Sequence, residues 1–203
     1  MLTIAITGGI GSGKSEVSHY LESLGFRVLY ADLIAKEMTS PGGSSVPYIR
    51  REFGEEYIAE NGGMDRAKMK ALVYSNPAKM KLLEKGTTDL VNDEIMKRAE
   101  KAAEDGEAVI FCEIPLLFEK GLQASYDLTW LVCAKENTRL GRVKERDGTD
   151  EKTARAIIST QMSDEEKRKL AGETIENDGS RENLKKSVDG LLRKYGILPQ
   201  KLV

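Results

Sequence analysis

Residues 8–15 read "GGIGSGKS" and stand between an apolar, β-rich run, "LTIAIT" at 2–7, and a segment that places Val17, Tyr20, Leu21 and Leu24 at helical spacing. No other feature limits the fold as strongly. Strand, glycine-rich turn and helix follow each other without a spacer, and the glycines let successive backbone N–H groups turn to one side of the bend. The run fits G-x-x-x-x-G-K-[ST], with Gly8, Gly13, Lys14 and Ser15 in the fixed positions. Gly9, Ile10, Gly11, Ser12 and Gly13 are then expected to line an anion-sized concavity, and the helix start at Lys14, Ser15 and Glu16 to add its donors. Lys14 is expected to reach β- and γ-phosphates, and the Ser15 hydroxyl to bind Mg²⁺. A glycine-rich turn without a ligand is the alternative, and the complete motif in its strand and helix context weighs against it. The motif points to a nucleoside triphosphate and is silent on its fate.

A second strand, "FRVLY" at 26–30, leads to Asp32, and a helix runs to about residue 39 before "SPGG". Residues 44–105 read as mostly helical: "SVPYIRREFG", "MDRAKMKALVYSN" and a long stretch from Pro77 through "EDG", with "GTT" as a candidate interruption. Strands return with "AVIFCEI", "DLTWLVCA" and a short "ETIEN", separated by helices, and "RENLKKSVDGLLRKYG" closes the pattern. The alternation predicts an α/β fold, a three-layer α/β/α parallel sheet whose core is 1–59 and 106–203, with a helical insertion at 60–105.

The 203 residues suffice for one large domain with an inserted subdomain, and 40% hydrophobic with 32% charged residues is ordinary for a globular chain. A net charge of −2 gives no global attraction to nucleic acid or membrane, so an anionic ligand must be held by local positive charge. The N-terminus has no basic region followed by a long apolar run, and the chain is read as cytoplasmic, with a monomer or weak homo-oligomer expected. Cys112 and Cys133 lie in apolar runs, which suits buried thiols better than a disulfide or a metal site.

Three further groups bear on the chemistry. Asp32, at the end of the second strand, could accept a proton from a substrate hydroxyl at the carboxyl edge of the sheet, or could simply cap the helix "LIAKEM". Glu113 closes the apolar strand "AVIFCE" as the acidic residue of a Walker B strand does, holding Mg²⁺, or serves as a strand-end cap. Lys135, Arg139, Arg142 and Arg146 recur at spacings of four, three and four, which puts them on one helical face. That row is either a phosphate-clamping lid or a solvated face paired with Glu136 and Glu145. His19 is the only histidine, which removes Ser-His and Cys-His schemes.

With these residues in view, the chain resembles the dephospho-CoA kinase family along nearly its whole length. The resemblance rests on "TGGIGSGKS", "ADLIAKEM" with its following "PG", "GGMDRAKMKALVYSNP", "PLLFE" at 115–119, the arginine row with "RD", Gln161 and "IENDG". It implies ATP- and Mg²⁺-dependent phosphorylation of the ribose 3′-hydroxyl of dephospho-CoA, the last step of coenzyme A synthesis. It also implies a nucleotide-binding core, a helical CoA-binding part and a small lid at about 135–165. Asp32 matches the family's catalytic aspartate, Lys14 its phosphate-loop lysine and Arg142 its lid arginine, with Arg146 the second candidate for contact with the phosphates. The chain departs from the family at Thr88-Asp89, where a His-Pro pair is usual, at Glu16, where threonine is common, and at Ala171-Gly172 in place of "AD".

Other functions remain open at this level. Another small phosphate-loop kinase would act on a nucleoside or nucleotide, and a regulatory protein would keep the nucleotide site without turnover. A GTPase-like switch is disfavoured because neither N-K-x-D nor a D-x-x-G after the second strand is present.

Overall fold

The computed structural model describes residues 1–199, with only the backbone described at Asp89. Five strands, β1 (Leu2–Thr7), β2 (Arg27–Tyr30), β3 (Val109–Glu113), β4 (Leu128–Cys133) and β5 (Glu173–Glu176), form one sheet in the order β2-β3-β1-β4-β5. β1 lies at the centre, parallel to β3 on one side and β4 on the other, and β5 runs parallel to β4. Strands buried on both faces read as continuous apolar runs, and β4 shows it: Trp130, Leu131, Val132 and Cys133 are all fully buried.

On one face Ile4, Ile6, Phe111, Trp130, Val132 and Ile175 share a core with helices α1 (Lys14–Ser23) and α9 (Arg181–Lys194). Val17 and Leu21 come from α1; Leu184, Val188 and Leu192 form a stripe along α9 because every fourth residue returns to the same side. Each such apolar side chain, fully buried, contributes roughly 1.5–3 kcal/mol. The alternate positions Ala5, Cys112, Leu131 and Cys133 are buried too, so the sheet is covered on both sides. Both cysteines are free, as the apolar runs around them imply. Register fixes the site: Ile6 pairs with Glu113 and Thr7 with Leu131, so the chain leaves the sheet at Gly8 with a carboxylate on the neighbouring strand end.

Residue contacts divide the chain into two compact units, Met1–Leu29 with the residues from Ala102 onward, and Tyr30–Lys101. The second comprises α2 (Ala31–Met38), α3 (Val46–Phe53), α4 (Arg66–Ser75) and most of α5 (Pro77–Glu104). Its core joins Ile49 and Phe53 of α3 to Met69 and Val73 of α4. That shared core places α3, which precedes the residue 60 expected as the start of the insertion, in one unit with α4.

The candidate break at "GTT" does not occur, since α5 is continuous from Pro77 to Glu104. Gly86 is there for space: a Cβ would lie 1.9 Å from Cε1 of the Tyr48 ring, and the Tyr48 hydroxyl donates to the Leu82 carbonyl at 2.8 Å. The helix starts at proline, and Asn76 accepts from the N–H groups of Ala78 and Lys79 through its side-chain oxygen. Among the described residues no helix is long and apolar enough to cross a membrane.

Candidate active site

The loop from Gly8 to Gly13 has a carbonyl edge on which donors converge. Lys14 Nζ donates to the Gly8 and Gly9 carbonyls at 2.8 and 3.3 Å. Arg139 Nε donates to the Ile10 carbonyl at 2.9 Å, and Arg142 Nη1 to those of Gly11 and Ser12 at 3.2 Å each. Asn177 Nδ2 also reaches the Ser12 carbonyl, at 2.8 Å. The Ser12 and Glu16 N–H groups, expected among the anion donors, donate instead to the Gly9 and Gly13 carbonyls at 3.1 Å each; the loop ends at the start of α1, where first-turn N–H groups ordinarily have no acceptor one turn back. Such an arrangement is an anion site in its own right. Gly13 closes it at φ 93°, and a Cβ there would fall 2.1 Å from Asn177 Nδ2. The Ile10 amide, expected among the anion donors, instead donates to Gln161 Oε1 at 2.8 Å.

Ser15 and Glu113 meet at the mouth of the loop. The Ser15 hydroxyl donates to Glu113 Oε1 at 3.1 Å, and Ser18, one turn further along α1, donates to Oε2 at 2.5 Å. Glu113 is largely buried, with 8% of its surface exposed. A hydroxyl and a carboxylate oxygen this close form a hard, oxygen-only donor set that fits Mg²⁺, which is commonly held by one or two protein groups together with phosphate oxygens.

The basic row divides by position. Lys135 precedes α6 (Glu136–Asp147) and is not part of the helix face; its N–H donates to Asp178 Oδ1 at 2.8 Å. Arg139 is buried, and besides Ile10 it binds Asp164 Oδ1 at 3.1 Å. Arg142 adds a third backbone acceptor, the Asn177 carbonyl, at 2.9 Å. Of the three arginines only Arg146 is exposed, forked against Asp147 at 2.6 and 2.7 Å. The reading of the row as a solvated face therefore fails for Arg139 and Arg142, whose guanidinium groups lie on the loop.

A cavity of about 560 Å³ opens beside the loop, lined by Gly13, Glu16, Arg142, Arg146, Asn177 and Arg181 among others. Glu16 turns to its rim and pairs with Arg181 at 2.8 Å. In the other unit, Asp32 is the second residue of α2 and is exposed. The position before the helix belongs to Tyr30, so the capping role considered for Asp32 is excluded. Thr88 lies within α5; the side chain of Asp89, its companion in the departure from the family pair, lies outside the described residues.

Sequence reasoning missed Ser18, Asn177 and the structural part of Arg139. Ser18 was accessible, since a residue three beyond Ser15 shares its helix face. Asn177 and Gln161 carried no local signal beyond family likeness, because each acts on a loop more than 150 residues away.

A central parallel strand that runs into an anion loop, with a lysine and a hydroxyl at its helical end and a carboxylate on the next strand, defines a phosphate-loop nucleotide-binding α/β protein. The dephospho-CoA kinase family model matches residues 2–183. The dephospho-CoA kinase of Bacillus cereus is 36% identical over 197 residues, covering 97% of this chain and 98% of its own length. Among solved structures, TT1252 from Thermus thermophilus is 36% identical with a TM-score of 0.80, covering 95% of this chain and 97% of its own. A dephospho-CoA kinase from Campylobacter jejuni is 25% identical with a TM-score of 0.71, covering 95% and 96%. The chain belongs to the dephospho-CoA kinase family.

Proposed function

We propose that this chain transfers the γ-phosphoryl group of ATP to the ribose 3′-hydroxyl of dephospho-CoA, completing coenzyme A synthesis as a cytoplasmic enzyme, a monomer or weak homo-oligomer with no nucleic-acid or membrane partner. The observation that carries the reading is the phosphate loop itself, its carbonyls tied back by Arg139, Arg142 and Asn177, in a chain of this family. Phosphoryl transfer asks little covalent chemistry of a protein and much positioning and charge stabilisation, which a preset loop supplies.

In this reading Lys14 leaves the Gly8 and Gly9 carbonyls to neutralise β- and γ-phosphate oxygens. Ser15 and Glu113 would hold Mg²⁺, which would offset the negative charge of the phosphates during transfer. Arg142 and Arg146 flank the cavity beside the loop and would meet the nucleotide there. Asp32 takes or orients the proton of the acceptor hydroxyl, and the helical unit at 30–101 supplies contacts to CoA. Incubation with Mg-ATP and dephospho-CoA, followed by mass spectrometry, tests the whole reading. The expected product is coenzyme A and ADP; turnover of nucleoside monophosphates with none of dephospho-CoA would overturn it.

A further inference from the structure

Ile10 is held in the phosphate loop from three directions. Its N–H donates to Gln161 Oε1, its carbonyl accepts from Arg139, and its side chain packs on the cluster of Leu140, Val143 and Ala154. Gln161 lies in the short joint between α7 (Glu151–Ser159) and α8 (Asp164–Leu170). Such joints are ordinarily free to shift, yet this one is tied at each residue in turn.

Met162 N–H donates to Glu119 Oε1 at 3.2 Å, Ser163 forms a reciprocal cap with Glu166, and Asp164 accepts from Arg139. The same Glu119 oxygen lies 2.7 Å from the ammonium of Lys167, whose side chain has no exposed surface. Burying a lysine is costly, and a buried pair often gives no more stability than apolar groups of the same size. Here the pair is also incompletely satisfied, since Glu119 Oε2 is buried without a hydrogen-bond partner among the described residues. Stability alone is a poor reason for it; fixed geometry is a better one.

We infer that Gln161 is a positioning residue for the nucleotide: it turns the Ile10 peptide away from the anion and so sets the loop amides that follow, while the Glu119–Lys167 pair holds Gln161 in place. The inference rests on the proposed nucleotide site. It gives a task to two family-like features, the glutamate of "PLLFE" and Gln161, that no step of phosphoryl transfer uses.

The test is titration calorimetry of Mg-ATP without acceptor, accompanied by hydrogen exchange at the Ile10 amide and thermal midpoints. Gln161→Met keeps the volume and removes the acceptor. Loss of this hydrogen bond is expected to weaken ATP binding about ten-fold and to speed Ile10 exchange by a similar factor, with little change in midpoint. Gln161→Glu retains an acceptor and is expected to restore protection of the Ile10 amide. Unchanged ATP affinity in Gln161→Met overturns the inference, as does affinity that falls only in step with the thermal midpoint.

Should Gln161→Met not fold, the double variant Glu119→Gln with Lys167→Met decides. It is expected to match or exceed the wild-type midpoint and still bind ATP more weakly; wild-type affinity in it overturns the role of the pair. Because binding is read without an acceptor, failure to phosphorylate dephospho-CoA would count against the proposed reaction and leave this result readable.

Discussion

Asn177 Nδ2 donates to the Ser12 carbonyl over 2.8 Å, joining the turn after β5 to the loop after β1 across 165 residues of sequence. Arg142 spans the same gap, reaching Gly11 and Ser12 with Nη1 and the Asn177 carbonyl with Nη2. The acceptors are served from two nitrogens of one planar fork, whereas an ammonium carries its three donors on a single nitrogen. Arg142→Lys is therefore expected to lower turnover at subsaturating ATP by roughly ten-fold or more, although charge is kept. Initial rates against ATP concentration check it, and wild-type rates would show that the fork is dispensable.

Asp32 tests the chemistry alone, since Tyr30 holds the cap position of α2. It is exposed within the first turn of α2, and a carboxylate there favours the helix by only about 0.3–1 kcal/mol. Asp32→Asn is expected to melt close to wild type while turnover falls by roughly 10²-fold, the range of general-base effects. Turnover near wild type would remove Asp32 from the reaction.

Acid stability has a local source at the start of the sheet. The Thr3 N–H and hydroxyl, at 2.7 and 2.8 Å, hold the Asp127 carboxyl below the usual carboxylate range. A depressed folded value means this stabilisation is present above the unfolded pKa of about 3.9 and is lost as pH falls through the folded value. Thermal midpoints of wild type and Asp127→Asn are expected to differ most near neutrality and to converge in strong acid. A difference independent of pH would show that the carboxylate charge is irrelevant to the contact.

Both thiols should be chemically silent in the folded protein. Burial pushes Cys112 and Cys133 up to about 12, and the thiolate is the species that reacts. Iodoacetamide at mildly alkaline pH is expected to label neither in native protein and both in denaturant, as read by intact mass. Native labelling at the denatured rate would mean that β3 and β4 open readily.

Local patterns made much of this legible. The strand, loop and helix around residues 2–23 follow from adjacent residues, and so do the buried strands, whose apolar runs need no partner to be recognised. "GTT" was misread because Gly86 answers to the Tyr48 ring, 38 positions away in sequence and invisible to any window around it. Lys167 was hidden for a similar reason. Within "DEEKRKL" it looks like any surface lysine, and only the fold sets it against Glu119. The basic row was legible as a row; that Arg139 and Arg142 bind peptide carbonyls was not, because backbone acceptors leave no trace in residue identity.

Trp130 is the only tryptophan, fully buried on β4 with the Phe111 ring 5.4 Å away. The helical unit at 30–101 has its own core and contains tyrosines but no tryptophan. Emission excited at the red edge thus reports the sheet alone. Circular dichroism at helical wavelengths counts α3, α4 and α5 as well. If the two signals lose amplitude at different denaturant concentrations, the offset measures how far the helical unit melts on its own, with no label attached to either part.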